Sequence, residues 1–256
     1  MNSNNNTLWV EKYRPDTLEG YIGNDVIVGK MKTYIEGGDI PHLLFYGRAG
    51  TGKTTLAKLI VNSINCDFMI LNASDENNVD TVRNKVKSFA STIGFKDIKI
   101  VILDEFDYMT PQAQAILRNL METFSKHCRF ILTCNYVEKI IDPIQSRCQT
   151  FQIIPPTKKD VAVQISKILT EERIQFELKE LVPIVDSSYP DIRKIINTCQ
   201  LNSSKGILKI DSSSISDADV RVKIIDILKS KDDKRNRYVN LSPLQQSARG
   251  LWPYPN

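Results

Sequence analysis

Histidine is scarce in this chain, two in 256 residues, and the five cysteines (66, 128, 134, 148 and 199) form no CxxC pair. No zinc cluster is therefore expected. An odd cysteine count also argues against a full disulfide framework. A reducing compartment follows, with single thiols such as Cys66 and Cys134 read as core fillers. No apolar run reaches the roughly 18 residues of a transmembrane helix, so no membrane partner is expected. The opening MNSNNNT carries no apolar stretch; residues 1–7 read as a disordered tail, not a signal peptide. Neither charge sign dominates. A net charge of +4 permits a nucleic-acid partner without implying one, so the placement of basic residues has to carry that argument. There is no internal repeat.

What is present is ordinary globular composition, 41% hydrophobic and 25% charged. Short apolar runs at 42–47, 68–72, 98–103, 129–134 and 150–154 read as buried strands. Between them lie segments with helical spacing, 54–63, 79–93 and 111–124. Strand–helix alternation predicts an α/β fold, a doubly wound parallel sheet over 8–155. Pro155-Pro156 ends the alternation. Helices are then expected at about 157–172, opened by the capping box Thr157-x-x-Asp160, at 178–185, and at 190–201 with Pro190 in the first turn. These form a small all-α lid domain over 156–210. A further helix is expected at about 216–229 within a last segment, 211–256.

Gly47-Arg48-Ala49-Gly50-Thr51-Gly52-Lys53-Thr54 matches GxxxxGK[ST] between a strand and a helix, the context a P-loop requires. Glycines let backbone N–H groups turn toward phosphate oxygens. Lys53 brings a positive charge to the β- and γ-phosphates, and Thr54 a hydroxyl to Mg2+. The run 100–107, IVILDEFD, ends a buried strand in Asp104 and Glu105, at the sheet edge where ligands of open α/β sheets bind. Asp104 is placed to hold the metal, and Glu105 to orient or deprotonate an attacking water.

With these motifs in place the chain resembles the AAA+ ATPases, and within them the sliding-clamp loader subunits, over roughly residues 8–210. Residues 9–15, WVEKYRP, resemble the opening motif of replication factor C small subunits, and 22–24, IGN, the adenine-pocket segment after it. Residues 72–75 (NASD), 133–136 (TCNY) and 146–148 (SRC) are similar to further boxes of that family. DEFD, PDIRK at 190–194 and NSSKGIL at 202–208 are closer to the T-even-type bacteriophage subunit. A viral source is expected from this, acting in the cytoplasm of an infected bacterium, or in the nucleus for a eukaryotic source. The resemblance implies an ATP hydrolase that is active in an assembled ring. Its ATP site would include Tyr13, Arg14, Ile22, Gly23, the P-loop from Gly47 and Thr55. Arg147 would be an arginine finger acting in trans, left without a partner in its own chain. Asn135 would hold the attacking water, though a polar residue closing a strand can be a simple turn former. Arg193 would sense phosphate from the lid, with Lys194 beside it as an alternative.

Expected partners are the other subunits of the ring, a sliding clamp and the phosphate backbone of primer–template DNA. Arg83, Lys85 and Lys87 on helix 79–93 and Arg118 on helix 111–124 are the candidate DNA contacts; basic residues on an amphipathic helix otherwise form a solvated face. Gln114, sharing a face with Arg118 off the apolar stripe, would couple DNA to the ATP site. The family's helical collar is expected to be largely missing after 216–229. Two other functions stay open: a different AAA+ DNA remodeller, such as a helicase loader or branch-migration motor, and a nucleotide-gated scaffold without turnover.

Overall fold

The computed structural model describes residues 8–209, apart from 76–78, 93, 95, 97 and 205. Two compact units divide the chain, Met1–Lys209 and Ile210–Asn256. The second unit lies outside the described residues, and with it the expected helix 216–229 and collar; so does the expected tail, 1–7.

Strands β3 (Ile98–Asp104) and β4 (Cys128–Cys134) are buried along almost their whole length, as strands covered by helices on both sides must be. They lie between β2 (Cys66–Asn72) and β1 (Leu43–Tyr46), with β5 (Gln149–Gln152) beyond β1. The order is β2-β3-β4-β1-β5, and every pairing is parallel. All five strands fall within two residues of the ends expected from the sequence.

Successive side chains on a strand face opposite sides, and each side here has its own core. Ile100 and Ile102 pack with Met31 and Ile60 under α2 (Asp25–Glu36) and α3 (Lys53–Ser63). Val101 and Leu103 pack with Val86 and Leu117 under α4 (Val79–Ser91) and α5 (Pro111–Thr123). Lys99 is a buried exception. Its ammonium donates to the Phe89 carbonyl at 2.6 Å and to Thr92 Oγ1 at 2.8 Å, tying the C-terminal end of α4 to the sheet. Because β1 sits beside β4, the loops leaving β1, β3 and β4 emerge next to one another at one sheet edge.

Past the sheet, α7 (Lys158–Glu171), α8 (Leu178–Ser188) and α9 (Ile192–Asn202) bury one apolar face each, through residues such as Ile165, Leu181 and Ile195. Thr157 caps α7 as expected, accepting from the Asp160 N–H at 3.2 Å. Two expectations need correction. Helix α8 runs on past 185 through Pro183 to Ser188, held at its start by a Glu177–Glu180 capping box. Helix α9 begins at Ile192, not Pro190, because the Asp191 carboxylate caps it by accepting from the Lys194 N–H at 3.0 Å. Unforeseen elements are α1 (Trp9–Lys12), α2, α6 (Asp142–Gln145) and a two-residue antiparallel ladder of β6 (Ser203–Ser204) with β7 (Ile207–Leu208). Among the described residues no helix is long and apolar enough to cross a membrane.

Candidate active site

The loop from β1 into α3 turns on glycines that have to be glycines. Gly50 and Gly52 have φ of 74° and 95°, in the left-handed region. A Cβ on Gly52 would stand 3.0 Å from the Tyr21 hydroxyl, and one on Gly50 would overlap the Asp191 carboxylate that caps α9. The P-loop is therefore pressed between the N-terminal segment and α9.

Lys53 opens α3 and is buried. Its ammonium donates to the carbonyls of Gly47 and Arg48 and to Asn135 Oδ1, each at 2.8 Å. Burial lowers its pKa, against the opposing pull of the Asp104 and Asp107 carboxylates. Beside it the Thr54 hydroxyl donates to both Asp104 oxygens, at 2.8 and 3.0 Å. The Thr133 hydroxyl donates to the same carboxylate and accepts from the Glu105 N–H at 3.3 Å. Glu105 holds a left-handed backbone, φ 54°, which turns the chain out of β3 immediately after Asp104. Among the described residues nothing bonds its carboxylate, and its side chain lines the cavity. Lys53, Thr54, Asp104, Glu105 and Asn135, scattered over more than eighty positions of sequence, thus meet at one end of one cavity.

The same cavity is lined by Tyr13, Arg14, Ile22, Ala49, Gly50, Thr51, Gly52, Thr55 and Arg193, all expected. Arg193 lines the cavity and Lys194 does not. Three expected residues do not line it. Gly23 packs against Pro156, and its Cβ would lie 3.2 Å from that ring. Gly47 and Arg48 face a neighbouring groove with Gln152 and Tyr189, and turn only their carbonyls to Lys53. Among lining residues that were not foreseen are Tyr21, whose hydroxyl donates to the Thr51 carbonyl at 3.4 Å and whose pKa burial raises, and Gln164 and Ile168 of α7 and Ile196 of α9. Burial pushes the Cys134 thiol up to about 12, so it is a neutral wall and no nucleophile. All five cysteines are free.

Arg147 corrects an expectation. It is paired within its own chain: its guanidinium bonds Glu122 of α5, and Nη1 donates to the Pro143 carbonyl at 2.6 Å. It does not line the cavity of its own chain. Glu122 also stands 3.9 Å from Arg118, whose Nη2 donates to Asn119 at 2.7 Å. Gln114 corrects another. It is fully buried, not off the apolar stripe. Its amide donates to the carbonyls of Met109 (3.1 Å) and Lys139 (2.9 Å) and accepts from the Ile141 N–H (2.9 Å), so the loop before α6 supplies partners that a helical wheel cannot show. Asp107, not foreseen, is buried and accepts from the Tyr136 N–H at 3.3 Å, fixing the turn after Asn135. On α4, Arg83, Lys85 and Lys87 are exposed, while Val82 and Val86 are buried.

Comparison with known proteins agrees with this arrangement. Residues 43–156 match the profile of the ATPase family associated with various cellular activities (AAA). The replication factor C small subunit of Sulfurisphaera tokodaii is 43% identical over 212 residues, covering 80% of this chain and 65% of the relative. That of Haloarcula marismortui is 44% identical over 214 residues, covering 81% and 66%. The chain spans just under two thirds of the length of these relatives. Among solved structures a variant of Thermotoga maritima RuvB superposes with a TM-score of 0.66 at 16% identity, covering 79% of this chain and 70% of that one, which shows a shared fold. Residues 43–156 are thus similar to the AAA ATPase domain, and the chain as a whole is similar to the replication factor C small subunits.

Proposed function

We propose that the chain is the ATPase subunit of a sliding-clamp loader, in which ATP binding opens the clamp and grips primer–template DNA and hydrolysis releases the clamp on the DNA. The observation that carries the reading is the meeting of Lys53, Thr54, Asp104, Glu105 and Asn135 at one end of the cavity. The relatives named replication factor C small subunits support the choice of clamp loading over other AAA+ work. The likeness to RuvB carries the fold alone and gives no separate support to a branch-migration motor.

The residues present suit Mg2+. A hydroxyl and a carboxylate, Thr54 and Asp104, lie within 3.0 Å of each other beside an open cavity, a hard-oxygen pair that leaves positions for water and phosphate. The ion, when bound, would neutralise charge on the β- and γ-phosphates. Lys53 now spends its charge on two carbonyls and Asn135. Phosphate oxygens would replace those acceptors on the Lys53 ammonium and free Asn135 to hold a water. Glu105, whose carboxylate is uncommitted, would accept that water's proton as its oxygen attacks the γ-phosphorus and the bond to the β-phosphate oxygen breaks. Arg193 would meet phosphate from the lid, and Arg147 would reach the site of the adjoining subunit. Exposed Arg83, Lys85 and Lys87, with Arg118, would hold DNA by its backbone, and Gln114 would transmit that contact through the 139–141 loop.

The test is ATP binding and hydrolysis against protein concentration, with mass from light scattering, for the wild type and Arg147→Ala. The expected result is ATP binding by both chains, with turnover that rises as the wild type assembles and is lost in the variant. Binding without turnover at any concentration, in the presence of primed DNA and clamp, would favour a nucleotide-gated scaffold. Failure to bind ATP would overturn the reading altogether.

A further inference from the structure

The N-terminal segment is held not by the sheet domain alone but by the lid. Glu172 caps the C-terminal end of α7, with its N–H on the Ile168 carbonyl at 3.0 Å. One of its carboxylate oxygens accepts from Lys12 Nζ at 2.7 Å and from the Tyr13 hydroxyl at 2.9 Å. Tyr13 lines the nucleotide cavity. Gln164 and Ile168, spaced four apart with Glu172 along α7, line the same cavity, so one face of the helix supplies two wall residues and the anchor of a third. A second tie runs from the Trp9 N–H to Gln200 Oε1 of α9, at 2.9 Å, with the Trp9 ring buried.

Lys53, Asp104 and Asn135 occupy the phosphate end of the cavity, which leaves the wall made by Tyr13, Ile22 and Ile168 to face the base. We infer that Glu172 is a positioning residue for the base end of the nucleotide site: by holding Lys12 and Tyr13 it fixes that wall and makes base binding and lid position depend on each other. A charged acceptor holds a phenol donor more firmly than a neutral one does, and removing it frees Tyr13 to swing away. Sensing from the lid then has two separate arms, Arg193 toward phosphate and Glu172 toward the base. The inference rests on the nucleotide reading of this cavity.

Two probes separate the arms: ATP, which has a base, and inorganic tripolyphosphate, which has none. Equilibrium binding of each, with magnesium, is measured for the wild type, Glu172→Ala, Tyr13→Phe and the double variant. Glu172→Ala is expected to weaken ATP about tenfold and to leave tripolyphosphate within about twofold, the loss expected for one charge-assisted hydrogen bond. Tyr13→Phe, a milder change that keeps the ring, shifts ATP in the same direction, and the double variant loses no more than Glu172→Ala alone. Retained tripolyphosphate binding also shows that each variant is folded. Equal losses for the two ligands, or no loss for ATP, would overturn this role for Glu172 while the nucleotide reading stands. A wild type that binds neither ligand would overturn both.

Discussion

The two ends of the cavity are built differently. At the phosphate end, residues from the start of α3 and from the ends of β3 and β4 meet with polar atoms 2.8 to 3.0 Å apart, beside a sheet in which β1, β3 and β4 are paired by parallel backbone ladders. At the base end the walls come from α7, α9 and the N-terminal segment, which reach one another mainly through side chains: Glu172 to Lys12 and Tyr13, and Gln200 to Trp9. Parallel strands cannot shift without breaking a row of backbone bonds, whereas helices tied to a neighbouring segment by a few side chains can move at small cost. The phosphate end is preorganised; the base end is adjustable. That division suits a site in which chemistry needs fixed geometry and the report of occupancy needs motion.

The largest effect that could break this comparison is at Lys53. In Lys53→Ala the Gly47 and Arg48 carbonyls and Asn135 lose a shared donor, and the phosphates lose their buried cation. Affinity for ATP is expected to fall by at least about a hundredfold, the equivalent of about 3 kcal/mol for a charge-assisted contact. Tripolyphosphate should fall by the same factor, in contrast to the base-end variants. A loss confined to ATP would mean that the phosphate end is not the fixed one. Gln114→Leu comes next. It leaves three backbone groups, a buried one at Met109 and part-buried ones at Lys139 and Ile141, without their partner. Unfolding by denaturant should show a loss of about 2–3 kcal/mol. A near-zero change would show that the 139–141 loop is not held by α5 and that the rigid frame ends at Asn135.

Much of the phosphate end could be read in advance because its groups are contiguous in sequence. A P-loop is eight adjacent residues, and DEFD is four, each following an apolar run that can only be a buried strand. Even Asn135 stands at the end of such a run. The base end was legible only where the opening motif carried Tyr13 and Arg14 and the segment after it carried Ile22. Tyr21, Gln164, Ile168 and Glu172 belong to no local pattern, and only packing of the lid shows what they face. Helix α2 is a different case. Its apolar residues at 27, 28, 31, 34 and 35 have helical spacing, and the signal was there to be read. Gln114 and Arg147 were misplaced for one reason: each has a partner 25 residues or more away in sequence, one in a loop and the other on a helix face. A side chain's exposure on its own helix does not say what crosses over it.

The smallest effect sought sharpens the comparison by moving outside the cavity. Glu122 and Arg147 are both partly exposed, and such a pair contributes no more than about 1 kcal/mol, so Glu122→Gln should leave the unfolding midpoint nearly unchanged. Its consequence should appear in turnover instead. If Arg147 acts on the adjoining subunit, it has to leave Glu122 to do so, and an uncharged partner releases it more easily, while the Pro143 carbonyl still holds Nη1. Turnover at protein concentrations below full assembly should then rise a few-fold, and the gap between wild type and variant should close at high salt, where the ion pair is screened. A fall in turnover matching that of Arg147→Ala would reverse the assignment: Glu122 would be needed to aim the guanidinium, and the arginine would be preorganised by its own chain in the way the P-loop carbonyls and Asn135 hold Lys53.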